Sequence, residues 1–314
     1  MSTTTSITSS YAGEFAGKYI SAMLLANKTL GDGTITIKQN IKYKEVVKKL
    51  ATTGLLAAGT CDFTSTGSVT LTERIIEPIE IQSNIVLCKK DFQSDWNAIE
   101  MGYSAFDNLP KTFSDFLIGN ISANIGAEIE SILWSGDGTT GTTASFSGFT
   151  TLFKADSTVN DVSGTTITSS NVLAELAKVV EKLATLKIYN SGVKPVIYAA
   201  TNVISSYLIA LGGFGASGAG ANGFNGKGTN QVINNPLYFA GIEIIEAPGL
   251  ASSQMVGAQK DNLWFGTGLM NDTNEVKVLD MADLDGSQNV RFVARFTAAV
   301  QYGIGSEIVY YWIY

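Results

Sequence analysis

Thr112 to Ser135 reads TFSDFLIGNISANIGAEIESILWS, the longest uninterrupted helical pattern in the chain. Phe113, Leu117, Ile121, Ile125, Ile129 and the pair Ile132/Leu133 recur at spacings of three and four. They therefore line one side of a helix about 35 Å long. Pro110 precedes the pattern and Gly136 ends it. Thr112, followed by Asp115, is a variant of the capping box, with a carboxylate at the positive end of the helix. Taken alone, the stretch predicts one long core helix whose lesser face carries Asn120, Asn124, Glu128 and Ser131.

The 314 residues can bury a full core and are expected to divide into two compact regions with extensions. Only 16% of them are charged, against about 25% in ordinary soluble domains. The mean hydropathy is +0.16, with no apolar run long enough to span a bilayer. A chain with no expected membrane span and too few charges to coat its surface is expected to cover much of that surface with other chains. The opening MSTTTSITSS has neither a basic segment nor an apolar one, so no signal peptide is expected and the protein stays where it is made. Cys61 and Cys88 read as small buried hydrophobes rather than a bridge.

The chain has no histidine. That removes Ser/His/Asp and Cys/His nucleophiles and His-ligated zinc. A net charge of −7 argues against a protein built to neutralise phosphate backbones, leaving only weak contact with nucleic acid. The turn at Asp137 lacks the carboxylate ladder of a calcium loop. Gly213, Gly215 and Gly218 satisfy G-x-G-x-x-G, but a helix precedes them and more glycine follows, the wrong context for a dinucleotide site. Residues 221–228 mimic a phosphate loop, yet begin with Ala221 and carry Gly228 where Ser or Thr would hold magnesium. No catalytic residue, cofactor or metal ligand is assigned, and the expectation is that the chain is not an enzyme.

Tyr11, Phe15, Tyr19 and Met23 predict an amphipathic helix ending near Asn27. From Ile35 to Ile81 the pattern is mixed. Val69 and Leu71 alternate with Thr70 and Thr72 like a half-buried strand, and Lys38, Lys42, Lys44, Lys48 and Lys49 cluster on the first arm of a long two-armed excursion. Helix, strand and helix follow over 171–187, 196–200 and 202–211, the first with Val172, Leu173, Leu176, Val179, Val180, Leu183 and Leu186 on one face. Strands are expected at 238–247, 262–266, 275–279 and 290–300. The chain closes on IVYYWIY, whose Tyr310, Tyr311 and Trp312 are hard to leave in water and are expected in a sheet or an interface. Acids dominate 243–285, a complement to the lysine-bearing arm if copies associate head to side.

This order of elements resembles the major capsid proteins of tailed bacteriophages, the Hong Kong 97-type fold. The long helix ending in Gly136-Asp137-Gly138, the helix NVLAELAKVVEKLATL, the segment LYFAGIEIIEAPGL, Trp264-Phe265-Gly266 and the strand VRFVARFTAAVQYG carry the likeness. It implies an α+β subunit with an N-terminal arm (1–34), an extended loop (35–81), a peripheral domain (82–164) with its spine helix at 112–135, an axial α/β domain (165–260) with the glycine-rich loop near the capsomer axis, and a return to the peripheral domain (261–314). It also implies a structural protein of the virion, assembled in the host cytoplasm. Pentamers and hexamers would tile an icosahedral shell around double-stranded DNA, with a portal, a separate scaffold and decoration proteins as further partners. Lys38, Lys42, Lys44, Lys48, Lys49, Tyr310, Tyr311 and Trp312 are the candidate subunit contacts. The alternatives are an encapsulin-like nanocompartment shell and, from another class, an α/β enzyme using the glycine-rich loop.

Overall fold

The computed structural model describes residues 9–12, 28–41, 43–54, 56, 58–59, 65, 67–88, 111–138, 146–190, 193–212, 237–268 and 275–313. The glycine-rich loop, most of the expected N-terminal helix, Cys61, Lys42 and the side chains of Lys49 and Asn120 lie outside them. In chain order the strands are β1 (Ser9–Ala12), β2 (Thr36–Lys38), β3 (Glu45–Thr53), β4 (Ser68–Ile76), β5 (Ile79–Cys88), β6 (Asn160–Ser163), β7 (Val196–Ala199), β8 (Leu237–Phe239), β9 (Ile242–Glu246), β10 (Met255–Ala258), β11 (Leu263–Thr267), β12 (Glu275–Asp280), β13 (Asn289–Tyr302) and β14 (Val309–Trp312). The helices are α1 (Lys28–Gly31), α2 (Lys111–Ser135), α3 (Phe149–Ala155), α4 (Val172–Ala184), α5 (Thr201–Gly212) and α6 (Ala282–Asp285).

Two six-stranded sheets carry the core. In the first, β13 is the central member: β5 pairs with residues 289–298, β12 with 290–295 and β11 with 298–302, all antiparallel. β1 extends it beyond β12, and β2 lies parallel to β11. The alternation read from the sequence is the reason β13 works here. Val290, Phe292, Ala294, Phe296 and Ala298 are all buried, while Arg291 and Arg295 face outward. The second sheet runs β6-β14-β10-β7-β9-β8, with α4 packed against β14, β10 and β6. Val172, Leu176, Val179, Val180 and Leu183 are its buried stripe, whereas Leu173 faces out.

The spine helix α2 runs over the predicted residues. Ile121, Ile125, Ile129 and Leu133 are buried, and Asn124, Glu128 and Ser131 are exposed. Near its end Trp134 packs on Phe149 of α3 and Tyr198 of β7, at 5.3 and 5.2 Å between ring centroids.

Several expectations are corrected by the tertiary structure. Tyr11 lies in a strand paired with Val276 of β12 rather than in a helix. The stretch expected as one strand over 238–247 is a hairpin, because Ala240 and Gly241 both adopt positive φ, 50° and 79°, and turn the chain back. The last strand does not return to the β13 sheet: β14 pairs antiparallel with β10 and parallel with β6. Residues 160–163 and 309–312 thus belong to the second sheet, outside the boundaries expected for it. The excursion is also shorter than 35–81, since β2 and all of β5 are built into the first sheet.

Candidate functional site

What leaves the body is an antiparallel ribbon, β3 against β4, in register from Glu45↔Ile76 to Thr53↔Ser68. Directly opposed residues share a face. One face therefore holds Val46 with Ile75, Lys48 with Glu73, and further out Leu71 and Val69. Val46, Val69, Leu71 and Ile75 are exposed, Val69 by 64% and Leu71 by 56%. The other face holds Ile76, Val47 and Arg74 near the root and Ser68 towards the tip. A lone two-stranded ribbon is marginal in water, and this one shows a row of branched apolar side chains.

The ribbon is tied down at its root. Ile76 is buried against Gly266, where an added Cβ would stand 3.3 Å from the Ile76 side chain and 2.9 Å from the end of Ile41, so either would have to give way. Gln301 Nε2 donates to the Ile75 carbonyl at 3.0 Å, and Lys38 is ion-paired with Glu45 while lying over the Trp264 ring. Arg74 donates to Asp156, and its guanidinium lies 4.5 Å from the centre of the Tyr302 ring. The Tyr302 hydroxyl donates to the same Asp156 oxygen at 2.6 Å, and the Thr158 N–H donates to the other at 2.9 Å.

Burial works to raise the pKa of Asp156, but the hydrogen bonds from Tyr302, Arg74 and Thr158 outweigh it and hold the carboxyl well below the usual carboxylate range. Its ordinary value is 3.8. A group with a depressed folded pKa contributes its stability above the unfolded value and loses it as pH falls below that value towards the folded one. The melting-temperature gap between the parent chain and Asp156→Asn is therefore expected to be widest at neutral pH and to narrow between about pH 5 and pH 2. A gap that stays constant in calorimetry across that window would refute the assignment.

The lysines expected as a basic docking face are largely neutralised within the chain. Lys44 pairs with Glu77 at 2.9 Å and Lys48 with Glu73 at 3.5 Å, besides the Lys38–Glu45 pair. The reason is register: the second arm places a glutamate opposite Lys48 and another just beyond Ile76. Acids on the other side are engaged too, Glu243 with Lys260 and Glu246 with Lys28. The surface of the ribbon is thus apolar more than basic. Tyr310 and Tyr311 are covered by their own subunit, both 0% exposed inside the second sheet. The Tyr311 hydroxyl donates to Glu175 of α4 at 2.7 Å, and burial with that carboxylate pushes its pKa up to about 12. Trp312 is half-buried, stacked on Tyr310 and capped by Lys154.

A second polar cluster joins the arm to the spine helix. Glu130 is buried on α2 and accepts from the Thr29 N–H at 2.9 Å, from the Thr29 hydroxyl and from Trp134 Nε1 at 3.1 Å. Close by, the Tyr198 hydroxyl donates to the Thr34 carbonyl at 2.6 Å. Neither this cluster nor the Arg74 junction was legible in the sequence, where Glu130 and Arg74 are ordinary charges. Among the described residues no group of three or more His, Cys, Asp or Glu side chains is placed to hold a metal ion. No helix of the described residues is long and apolar enough to cross a membrane.

Two sheets, a long spine helix and an extended ribbon make an α+β fold of the Hong Kong 97 type, the fold seen in solved phage capsids. Solved structures agree over nearly the whole chain. The procapsid of satellite phage P4 matches with a TM-score of 0.57 at 12% identity, covering 94% of this chain and 97% of that one. The capsid of Myoviridae phage XM1 matches at 0.56 and 11%, covering 91% of each. A virus-like particle from Pyrococcus furiosus matches at 0.53 and 10%, covering 95% of this chain and all of that one. No family model and no curated protein matches the sequence.

Proposed function

We propose that the chain is the repeating subunit of an icosahedral phage shell, forming pentamers and hexamers around packaged double-stranded DNA. The observation that carries this is the ribbon. It projects from a complete core with Val46, Val69, Leu71 and Ile75 exposed on one face, and a second copy of the same chain is the partner that finishes it. Support comes from the likeness to assembled particles, a P4 procapsid and an XM1 capsid among them. The thin charge, 16% of residues, fits a surface mostly covered by neighbours. In this reading the subunit works in the virion after assembly in the host cytoplasm, with a portal, a scaffold and decoration proteins as separate partners. Its contact with DNA is weak and non-specific, in keeping with the net charge of −7.

The test is direct. The purified chain, alone or coexpressed with a candidate scaffold, is expected to sediment as capsomers or closed shells and to show them by electron microscopy. Native particles are expected to protect DNA from nuclease. Monomers under every assembly condition would sink the proposal, and particles holding a protein cargo instead of DNA would move it to a nanocompartment shell.

A further inference from the structure

We propose that Arg74, Asp156 and Tyr302 form the pin of a hinge that fixes the angle at which the ribbon leaves the body, and through that angle the geometry in which copies associate. The second clause rests on the shell reading above; the first does not.

The ribbon meets the body at two chain crossings, near Glu45 and Ile76, an attachment that by itself lets a ribbon rock. Its body-facing side is not packed flush. A cavity of about 260 Å³ separates Val47, Lys48 and Arg74 from Asn262, Trp264 and Ile304, so there is room to move into. Arg74 lines this space and closes it electrostatically, reaching Asp156 while stacking on Tyr302.

The receiving half is rigid. Asp156 caps the end of α3, where its N–H donates to the Phe153 carbonyl, and both of its carboxylate oxygens are already engaged by Thr158 and Tyr302. Tyr302 is fully buried at the end of β13. Gly305 leaves the space this needs: a Cβ there would stand 3.0 Å from Asp156 Oδ2 and 2.3 Å from Thr158 Oγ1. A fixed carboxylate and ring, engaged by a side chain of the projecting ribbon beyond the ties at Glu45, Ile75 and Ile76, behave as a pin. The guanidinium suits the place because it donates in plane and stacks by its face, which an ammonium cannot do at once.

The test uses the full chain with Cys61→Ser and Cys88→Ser and spin labels on Val69→Cys and Glu181→Cys, read by pulsed electron paramagnetic resonance in unassembled protein. The parent is expected to give one narrow distance peak. Arg74→Ala and Arg74→Lys are expected to lose it to a broad distribution, while Tyr302→Phe, which keeps the ring, broadens it less. The same substitutions without labels are expected to give particles of mixed diameter by electron microscopy. An unchanged peak in Arg74→Ala, with circular dichroism confirming a folded chain, would overturn the pin. Broadening with uniform particles would overturn its role in assembly geometry. A narrow parent peak that broadens in the Arg74 variants, from a parent that forms no particles, would uphold the pin and reject the shell reading.

Discussion

Placing aspartate at both Val69 and Leu71 is expected to lower particle yield at least about tenfold while leaving the thermal midpoint of the unassembled chain unchanged. Both side chains stand on the exposed face of the ribbon, near its outer half, where they touch little of their own subunit. Truncating or charging them therefore removes little from the monomer. In a completed contact, by contrast, each would bury branched apolar surface worth about 1.5–3 kcal/mol. A charge forced into that contact adds a desolvation penalty that no partner offsets. Exchanging Lys44 and Lys48 for glutamine should do far less, because exposed ion pairs within one subunit contribute little. Light scattering and sedimentation of the variants separate the two cases. Full shell yield from the double aspartate variant would show that the ribbon's apolar face is not a contact.

The second large effect is expected inside the subunit. Glu130→Ala should cost about 3 kcal/mol, because it strands the Thr29 N–H and the Thr29 hydroxyl in a buried site, while the Trp134 indole N–H keeps the Thr29 hydroxyl oxygen as its acceptor at 3.0 Å. Glu130→Gln keeps the shape and one acceptor oxygen but turns an NH2 towards donors, so about half that loss is expected. The site cannot relax easily. Gly249 presses so close that an added Cβ would sit 1.9 Å from the Glu130 carbonyl oxygen, and Leu30 and Trp134 are buried on either side. Urea unfolding measures the difference. A loss below about 1 kcal/mol for the alanine variant would mean that water replaces the carboxylate and the arm is not latched there.

The elements legible in the sequence were those with one strong period. The stripe from Ile121 to Leu133 and the alternation along β13 depend on which neighbours along the chain are apolar, and burial follows that pattern in both. The resemblance then ordered these elements into a known architecture. The ribbon was legible as an excursion but not as a surface, because Val69 and Leu71 alternate with threonines whichever face is covered. Period two reports that one face is apolar; it does not report whether the subunit itself buries that face.

The same limit explains the aromatic tail and the lysines. IVYYWIY had to be covered by something, and only the pairing of β14 with β10 and β6 decided that its own subunit does so. Lys48 read as a free cation until the register set Glu73 opposite it. The sequence by itself determined the secondary structure of the long helix and of β13, the absence of histidine chemistry and the thin charge, since these are properties of near neighbours and of composition. The tertiary structure alone decided the Glu130 latch, the Arg74–Asp156–Tyr302 junction and which apolar face stays open. Those depend on contacts between residues more than 80 positions apart, and their energy comes from desolvation and hydrogen-bond geometry that no local period encodes.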